Sequence, residues 1–245
     1  MSEDPTTKFH IRKYRDADRA QVRSICFQTG LFGDPVERVY GDLESFADMF
    51  TAYYTDCEAE NAWVVARTDD DRVIVGYLLG CMDSRKAWDP TMVAVRHILR
   101  RGLLFRPSTA GFYWRLVGDV IRDLGVHRTK IDFDKYPAHN HIDLLPEVRG
   151  AFGQLLFQKF LDEMLAKGVR GAFGEAIAEN VRIRRFAASW GYHEIGKPYP
   201  LPGMRDANGK RLHGIAVVRD LTVPFERRPR EPAEKRQSTA NTVGE

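Results

Sequence analysis

The spacing of apolar residues predicts that the chain begins with a strand followed by two helices. Residues 9–14 alternate between apolar and polar side chains, which is typical of a half-buried strand. Val22, Ile25 and Cys26 then recur at helical spacing, after aspartates that can cap a helix. The stretch 43–54 repeats the helical pattern, so we expect a second amphipathic helix there.

A hairpin and a pair of helices are predicted in the middle of the chain. The runs 62–67 and 73–81 are apolar and rich in strand-forming residues, and a polar tract of turn-forming residues separates them. The character of the sequence changes at 89–125, where 92–105 and 112–124 both have the period of a helix. We therefore interpret 89–125 as a helical insertion.

The second half of the chain predicts strands and helices in alternation. The elements are a strand end at 142–145, a helix at 154–167, a strand at 172–177, a helix at 180–190, and strands at 192–197 and 214–221. Taken with the first half, this order predicts an α+β fold in which a mixed sheet has helices on both of its faces.

Length and composition favour a single domain. The chain has 245 residues, of which 43% are hydrophobic, and this is enough apolar material for one large core. We place the domain at 9–224, after an N-terminal tail at 1–8. The segment 225–245 is polar, lacks apolar periodicity and is expected to be a disordered tail.

Charge, hydropathy and cysteine content argue against several classes of protein. The net charge of +3 is the small difference between 37 basic and 34 acidic residues, and no basic stretch is interleaved with aromatic residues as in nucleic-acid binding. No stretch approaches the roughly 18 apolar residues that span a bilayer, so we expect a cytoplasmic protein without a membrane partner. Cys26, Cys57 and Cys81 have neither disulfide nor zinc spacing and are expected to be buried thiols. The sequence does not determine the oligomeric state, and a homodimer is compatible with it.

The turn at 149–154 is the first candidate for a binding site. It lies between a predicted strand and a predicted helix and contains two glycines and an arginine. Backbone N–H groups at the start of a helix favour a phosphate, and glycine lets a ligand approach the backbone closely. A tight connection that needs glycine only for its conformation would have the same sequence, so both interpretations stay open at this point.

The residues around this turn resemble the GNAT superfamily of acyl-CoA-dependent N-acyltransferases. An apolar pair and a proline lead into the turn, in the order Leu144-Leu145-Pro146-Glu147-Val148-Arg149-Gly150. Asn180 then begins a helix, Phe186 lies within it and Gly191-Tyr192 ends it, as in that family. The resemblance spans about residues 9–223. It implies a mostly antiparallel sheet that is splayed open between its fourth and fifth strands, with acyl-CoA in the cleft.

The resemblance also implies which residues bind acetyl-CoA. Backbone groups of Leu144 and Leu145 would bond the pantetheine arm, and Asn180 and Phe186 would meet it from the next helix. Backbone amides of the turn would hold the pyrophosphate. These amides belong to Arg149, Gly150, Ala151, Phe152, Gly153 and Gln154. We expect acetyl-CoA, or another acyl-CoA, as co-substrate and no metal.

Three positions depart from the family pattern. Phe152 and Gln154 stand where the pattern has small residues. Ala187 stands where many members have the tyrosine that protonates the leaving thiolate. These departures keep a second interpretation open, a GNAT-like module that binds or senses CoA with weak or no catalysis.

Candidate catalytic residues lie on the strand before the turn and on the strand after it. His139, His141 and Asp143 alternate on one face of the first of these strands. His141 suits a general base because free imidazole has a pKa of about 6.5, and Asp143 could orient it or attract a cationic amine. Glu175 is a further candidate, and Tyr192 could replace the missing general acid.

The reaction implied is direct transfer of an acetyl or other short acyl group to a primary amine. The acceptor would be a small molecule or a peptide, and the insertion at 89–125 would wall the acceptor side of the cleft. A metal-dependent hydrolase that uses His139 and His141 is the third alternative, because imidazole nitrogen is a good zinc ligand.

Overall fold

The computed structural model describes residues 8–31, 33–206 and 208–225, and within them the strands form two antiparallel sheets. The first sheet has the spatial order β1–β2–β3–β4. Its strands are β1 (Phe9–Lys13), β2 (Ala62–Arg67), β3 (Ile74–Cys81) and β4 (His139–Leu144). The second has the order β5–β7–β6. Its strands are β5 (Gly171–Ile177), β6 (His193–Arg205) and β7 (Arg211–Asp220). The predicted α+β class with antiparallel pairing is confirmed.

Helices occupy the segments between the strands. They are α1 (Arg19–Thr29), α2 (Leu43–Ala47), α3 (Tyr53–Cys57), α4 (Pro90–Arg101), α5 (Pro107–Arg122), α6 (Ala151–Ala166) and α7 (Val181–Ser189). A π-helical turn, Asp48–Ala52, joins α2 to α3, so the helix predicted at 43–54 is one continuous helical run. Both helices predicted in the segment 89–125 are present as α4 and α5.

Helices pack on both faces of the first sheet because successive strand residues point to opposite sides. On one face, Leu78 of β3 packs with Phe160 of α6 in a buried cluster. On the other face, Val64 and Tyr77 join Val22 of α1 in a second buried cluster. Burial of side chains of this size is worth about 1.5–3 kcal/mol each, so these two layers supply much of the stability.

The two sheets meet where β4 and β5 begin. Ala138 and Ala172 form an isolated parallel bridge, in which the backbone N–H of Phe173 donates to Ala138 O over 2.8 Å. Past this bridge, the described residues show no backbone pairing between β4 and β5. One edge of β4 is therefore unpaired along most of its length, and α6 begins just beyond its end.

The pair α4–α5 spans from the segment after α1 to the second sheet. The hydroxyl of Tyr113 in α5 lies 2.9 Å from that of Tyr40, and Arg101 of α4 donates to Asp42 over 2.9 Å. At the other end of α5, Asp119 accepts a hydrogen bond of 2.9 Å from the backbone N–H of Gly203 in β6. The pair therefore contacts elements on both sides of the gap between β4 and β5.

Strand β6 is longer than the stretch 192–197 that the sequence predicts. It continues through Pro198, Pro200 and Pro202 to Arg205, with two shifts of register against β7. Proline has no backbone N–H to donate to a neighbouring strand, so it is rare in central strands. Strand β6 lies at the edge of its sheet and has a neighbour on one side only, so its prolines are tolerated there.

Three other expectations concern the tails, the cysteines and the membrane. Of the expected N-terminal tail 1–8 and the expected disordered tail 225–245, residues 1–7 and 226–245 lie outside the described residues. Cys26 and Cys81 are buried as expected, but Cys57 is exposed at the end of α3, so the expectation for that residue is wrong. In the part of the chain that the structure describes, no helix is long and apolar enough to cross a bilayer.

Candidate active site

The turn before α6 depends on the conformation of Gly150. This residue is the N-cap of α6 and has φ 88° and ψ −86°, a region that only glycine enters readily. A Cβ at Gly150 would meet no atom within 4 Å, so conformation rather than crowding requires glycine. The backbone N–H groups of Ala151, Phe152 and Gly153 precede the first intrahelical bond, which Gln154 donates to Gly150 O over 3.2 Å.

Helix α6 begins at Ala151, earlier than the predicted start at 154, and this places the side chains of the turn. Phe152 is 2% exposed and packs edge-to-face on Phe9 of β1, with ring centroids 6.0 Å apart. Gly153 is the residue that packs closely on β4, because a Cβ there would lie 3.2 Å from Leu144 Cδ1. The large side chain of Phe152 therefore points into the core and does not fill the turn; Ala151 is exposed, whereas Phe152 and Gly153 are buried.

The side chain of Arg149 bonds two backbone carbonyl groups. Its Nε donates to Leu144 O over 3.0 Å and its Nη2 donates to Gly33 O over 2.7 Å. The guanidinium therefore links the end of β4 to the loop after α1.

The pairing register shows which groups of β4 face the unpaired edge. Leu145 N–H donates to Val75 O over 2.9 Å, and Leu145 O accepts a bond from Val148 N–H over 3.1 Å. Because hydrogen-bonded residues alternate in an antiparallel pair, the backbone groups of Ile142 and Leu144 point away from β3. Of the two leucines, Leu144 alone presents its backbone N–H to the unpaired edge.

Asn180 immediately precedes α7 and Phe186 lies within it, and both follow β5 in the chain. Asn180 caps α7, since its Oδ1 accepts a hydrogen bond of 3.2 Å from the backbone N–H of Ile183. Phe186 packs edge-to-face on Phe157 of α6, with ring centroids 5.4 Å apart. The capping bond uses only the carboxamide oxygen of Asn180 and leaves its NH₂ group for another acceptor.

His141 and Asp143 form an ion pair on the α1 side of β4. His141 Nε2 lies 3.1 Å from Asp143 Oδ2, and the same nitrogen lies 3.7 Å from the sulfur of Cys26 in α1. The Tyr77 hydroxyl donates to Asp143 Oδ2 over 2.6 Å. The ring of Phe50 stacks on the imidazole at 5.5 Å between centroids. The sequence predicts the contact between His141 and Asp143, but not Cys26, Tyr77 or Phe50 beside them.

The charge of this pair differs from what a free imidazole would give. Burial lowers the pKa of His141, but the adjacent Asp143 carboxylate outweighs burial and raises that pKa to about 10. At neutral pH, His141 Nε2 therefore keeps its proton and has no lone pair with which to accept another. This arrangement does not match the expectation of a base with a pKa of about 6.5.

His139 has a different environment although it lies on the same face. Its Nδ1 is 2.6 Å from the hydroxyl of Ser84, which donates its own proton to Pro137 O, also over 2.6 Å. His139 Nδ1–H is therefore the donor to Ser84. Burial lowers the pKa of His139 to about 4, so the ring is neutral. The two imidazole rings have different partners, Ser84 for His139 and Asp143 for His141, and do not converge on one position where a metal ion of a hydrolase could bind.

Glu175 lies across the gap from His141. Counted from the Ala138–Ala172 bridge, each is three residues farther along its strand. The contact between the rings of Phe173 and His139, at 5.1 Å, shows that this face of β5 is continuous with that of β4. Glu175 is exposed, and its Oε1 accepts a hydrogen bond of 2.6 Å from the buried Tyr199 hydroxyl. The carboxylate is therefore both accessible and oriented.

Tyr192 is far from these groups. It is 8% exposed and packs on Phe157 in the cluster that lies on the α6 face of the sheets. Burial raises the pKa of its hydroxyl, which has no hydrogen-bond partner among the described residues. The structure therefore does not bring Tyr192 together with His141, Asp143 or Glu175.

Two cavities lie outside the gap between β4 and β5. One, of about 740 Å³, is lined by residues of α4 and of the helical run opposite it, among them Asp48, Trp88 and His97. The other, of about 420 Å³, includes Glu58 and Lys167. Neither is lined by β4 or by the turn before α6, so neither cavity is the candidate cofactor site.

Solved structures match the chain over most of its length, although no protein-family model matches it. The crystal structure of SsHAT has a TM-score of 0.58 and 26% identity, covering 87% of this chain and 98% of that one. The structure of yncA from Salmonella typhimurium with its cofactor acetyl-CoA has a TM-score of 0.52 and 14% identity, covering 90% and 98%. A Drosophila melanogaster polyamine N-acetyltransferase has a TM-score of 0.51 and 14% identity, covering 87% and 100%. The chain therefore has the fold of the GNAT N-acetyltransferases, and the resemblance found in its sequence is confirmed.

Proposed function

We propose that the protein is an N-acetyltransferase that moves an acetyl or other short acyl group from acyl-CoA to a primary amine. The observation that carries this proposal is the unpaired edge of β4, which leads directly to the N-terminus of α6 in a chain with the GNAT fold. An exposed strand edge offers backbone hydrogen bonds to an extended ligand, and a helix N-terminus favours phosphate.

In this proposal, acetyl-CoA lies where the sheet splays open between β4 and β5. The backbone N–H of Leu144 bonds the pantetheine arm, and the NH₂ group of Asn180 meets it from the other side. The pyrophosphate lies against the first amides of α6, with Gly150 holding the turn in shape. Support comes from the free N–H groups of Ala151 to Gly153 and from the inward direction of Phe152, which removes an obstacle that the sequence had indicated.

The acyl transfer proceeds by direct attack of the amine on the thioester carbonyl. The nitrogen must be neutral to attack, so the ammonium group first loses one proton. The nitrogen then bonds the thioester carbon, the C–S bond breaks, the nitrogen releases a second proton to solvent, and the thiolate of CoA takes up a proton from solvent. Glu175 is the residue that we assign to attracting the cationic amine and receiving its proton, because its carboxylate is exposed and held by Tyr199. The His141–Asp143 pair lines the opposite side of the gap.

The acceptor is proposed to be a small cationic amine. A carboxylate at the gap suits such a substrate, and the Drosophila enzyme with the same fold is described as forming N-acetylagmatine, the product of a cationic amine. The insertion α4–α5 walls the acceptor side, since it contacts both the segment after α1 and β6.

A matched pair of glycine variants tests the cofactor site. Gly150 and Gly209 both have positive φ, 88° and 78°, and a Cβ at either would meet nothing within 4 Å. Gly150→Ala and Gly209→Ala should therefore introduce similar strain, but only the first should remove the stabilisation by acetyl-CoA. For the unchanged protein this stabilisation is about 2.7 kcal/mol at a concentration 100 times Kd. If acetyl-CoA fails to raise the melting temperature of the unchanged protein, the proposal is wrong.

A CoA-binding module without turnover is the second candidate. Ala187 stands where many members of the superfamily have the tyrosine, and Tyr192 is buried in the core, so neither of these two positions offers a hydroxyl to protonate the thiolate. Release of free thiol from acetyl-CoA, measured with a panel of mono-, di- and polyamines, separates the two. Binding without thiol release in the presence of every amine would favour the module over the enzyme.

A further inference from the structure

We infer that Cys26, His141 and Asp143 form a zinc-binding site on the α1 side of β4. One potential ligand atom from each of the three, a sulfur, a ring nitrogen and a carboxylate oxygen, lies within 4.8 Å of the other two. Two of these residues are on β4 and one is on α1, and α1 packs directly on that strand. The convergence is therefore produced by tertiary packing and cannot be seen in the sequence.

Two of the three distances between the ligand atoms fit the edges of a zinc tetrahedron, and the third, from Cys26 Sγ to the Asp143 carboxylate, is within 4.8 Å. With Zn–S of about 2.3 Å and Zn–N and Zn–O of about 2.0 Å, a tetrahedral angle gives an S···N edge of about 3.6 Å and an N···O edge of about 3.3 Å. The corresponding distances are 3.7 Å from Cys26 Sγ to His141 Nε2 and 3.1 Å from that nitrogen to Asp143 Oδ2. Small side-chain rotations would bring the three atoms onto one ion.

The chemistry of the three atoms selects the kind of metal. A thiolate and an imidazole favour zinc or a similar transition ion, whereas magnesium and calcium prefer sets made of oxygen alone. The arrangement is also unlike a nucleophile–base–acid triad, in which the two ring nitrogens of histidine contact different partners. Here Cys26 and Asp143 both approach Nε2 of His141, as ligands of a shared ion would.

The surroundings support the ligands and leave access to them. The Tyr77 hydroxyl donates to Asp143 Oδ2 over 2.6 Å, and Phe50 stacks on the imidazole, so both ligands on β4 are held in orientation. Cys26 is fully buried, while the side chains of His141 and Asp143 are 25% and 14% exposed. Zinc would therefore reach the site from the side of His141 and Asp143. It would bind both residues in place of their contact with each other and keep a fourth position for water.

This inference is independent of the proposed acetyl transfer. Acetyl-CoA is assigned to the edge of β4 and the turn before α6, and none of those groups is a zinc ligand. The pair His139 and His141, which the sequence offers to a metal, is not used, because His139 bonds Ser84 instead.

The experiment uses the untagged full chain, freed of metal with a chelator and returned to chelator-free buffer. Zinc is added in excess, unbound ion is removed on a desalting column, and zinc is measured by mass spectrometry. We expect one zinc per chain. Cobalt added to the same protein should give the near-ultraviolet absorption of a thiolate–cobalt bond, because Cys26 is a ligand.

Four variants assign the site. Cys26→Ser and Asp143→Asn should weaken zinc binding by more than about 100-fold, and Tyr77→Phe, which removes the hydroxyl that supports Asp143 and lies beside Cys26, by about 10- to 100-fold. Cys57→Ser changes the exposed cysteine and should bind like the unchanged protein. Circular dichroism without metal shows whether each variant is folded.

The unchanged protein by itself can overturn the inference. If it retains no zinc after desalting and gives no thiolate–cobalt absorption, there is no site. The same conclusion follows if folded Cys26→Ser keeps the absorption. Stabilisation by acetyl-CoA, measured with chelator present, tests the proposed function separately, so either result can fail without the other.

Discussion

Asp119 is a buried carboxylate that fastens α5 to the edge strand of the second sheet, and Asp119→Asn tests how strongly it does so. Its side chain is 6% exposed and lies 2.7 Å from Arg205 Nη1, and it also accepts the 2.9 Å bond from Gly203 N–H. Asparagine keeps the shape and the capacity to accept that backbone bond, so the variant removes mainly the charge.

The magnitude of the change follows from the pKa of the carboxyl group. Hydrogen bonds from Arg205 lower the pKa of Asp119 from its ordinary value of 3.8 to about 2. This difference corresponds to about 2 kcal/mol of stability at neutral pH. Because the folded pKa is the lower one, the contribution is fully present above pH 3.8 and is lost as the pH falls through 2. At about pH 3, roughly half of it should remain.

Urea unfolding at pH 7 and at pH 3 measures both quantities. We expect Asp119→Asn to lower the free energy of unfolding by about 2 kcal/mol at pH 7 and by about 1 kcal/mol at pH 3. Asp162→Asn, on the exposed face of α6, is the control and should change it by less than about 0.5 kcal/mol at either pH. A loss that is the same at both pH values would refute the assignment of the effect to this carboxylate.

Three further variants test the core and the gap. Glu58→Ala removes the carboxylate that accepts bonds from the Tyr53 hydroxyl and the Met82 N–H and should lower the unfolding free energy by about 3 kcal/mol, measured by urea titration. Tyr199→Phe removes the 2.6 Å hydrogen bond to Glu175 and should lower the free energy of unfolding by about 1 kcal/mol. It should also raise KM for the amine more than KM for acetyl-CoA. Equal effects on the two KM values would contradict the assignment of Glu175 to the acceptor. Gly76→Ala places a Cβ 2.4 Å from Leu144 Cδ2, so it should destabilise the fold by about 1–3 kcal/mol and weaken acetyl-CoA binding in a calorimetric titration.

The sequence could predict those elements whose pattern is formed by residues close together in the chain. Strand β2 has the predicted bounds, Ala62–Arg67, because a polar turn ends the hairpin strands and their apolar residues are contiguous. The start of α6 was placed too late because Gly153 has a low helix propensity. Its presence inside the helix reflects close packing on Leu144 of β4, and such a contact depends on how the helix lies against the strand.

The candidate site was predicted only where its residues are neighbours in sequence. Alternation along β4 places His141 and Asp143 on one face, and the structure brings them together. Cys26 is 115 residues away from His141, and its position in the apolar stripe of α1 indicates only that it faces inward. Burial by the distant segments lowers the pKa of His141, and the Asp143 carboxylate that alternation places beside it raises that pKa, so the sequence could indicate only the second of these effects.

The bridge between Ala138 and Ala172 has a consequence for altering the groove by design. Both residues are fully buried, and they have the smallest side chain that carries a Cβ. Because β4 and β5 are paired at this bridge and the described residues show no pairing beyond it, a bulkier residue here would push the two strands apart and change the distance between them. Substitution there replaces none of the residues to which the proposed function assigns chemistry and offers a way to adjust the size of the acyl chain in that proposal.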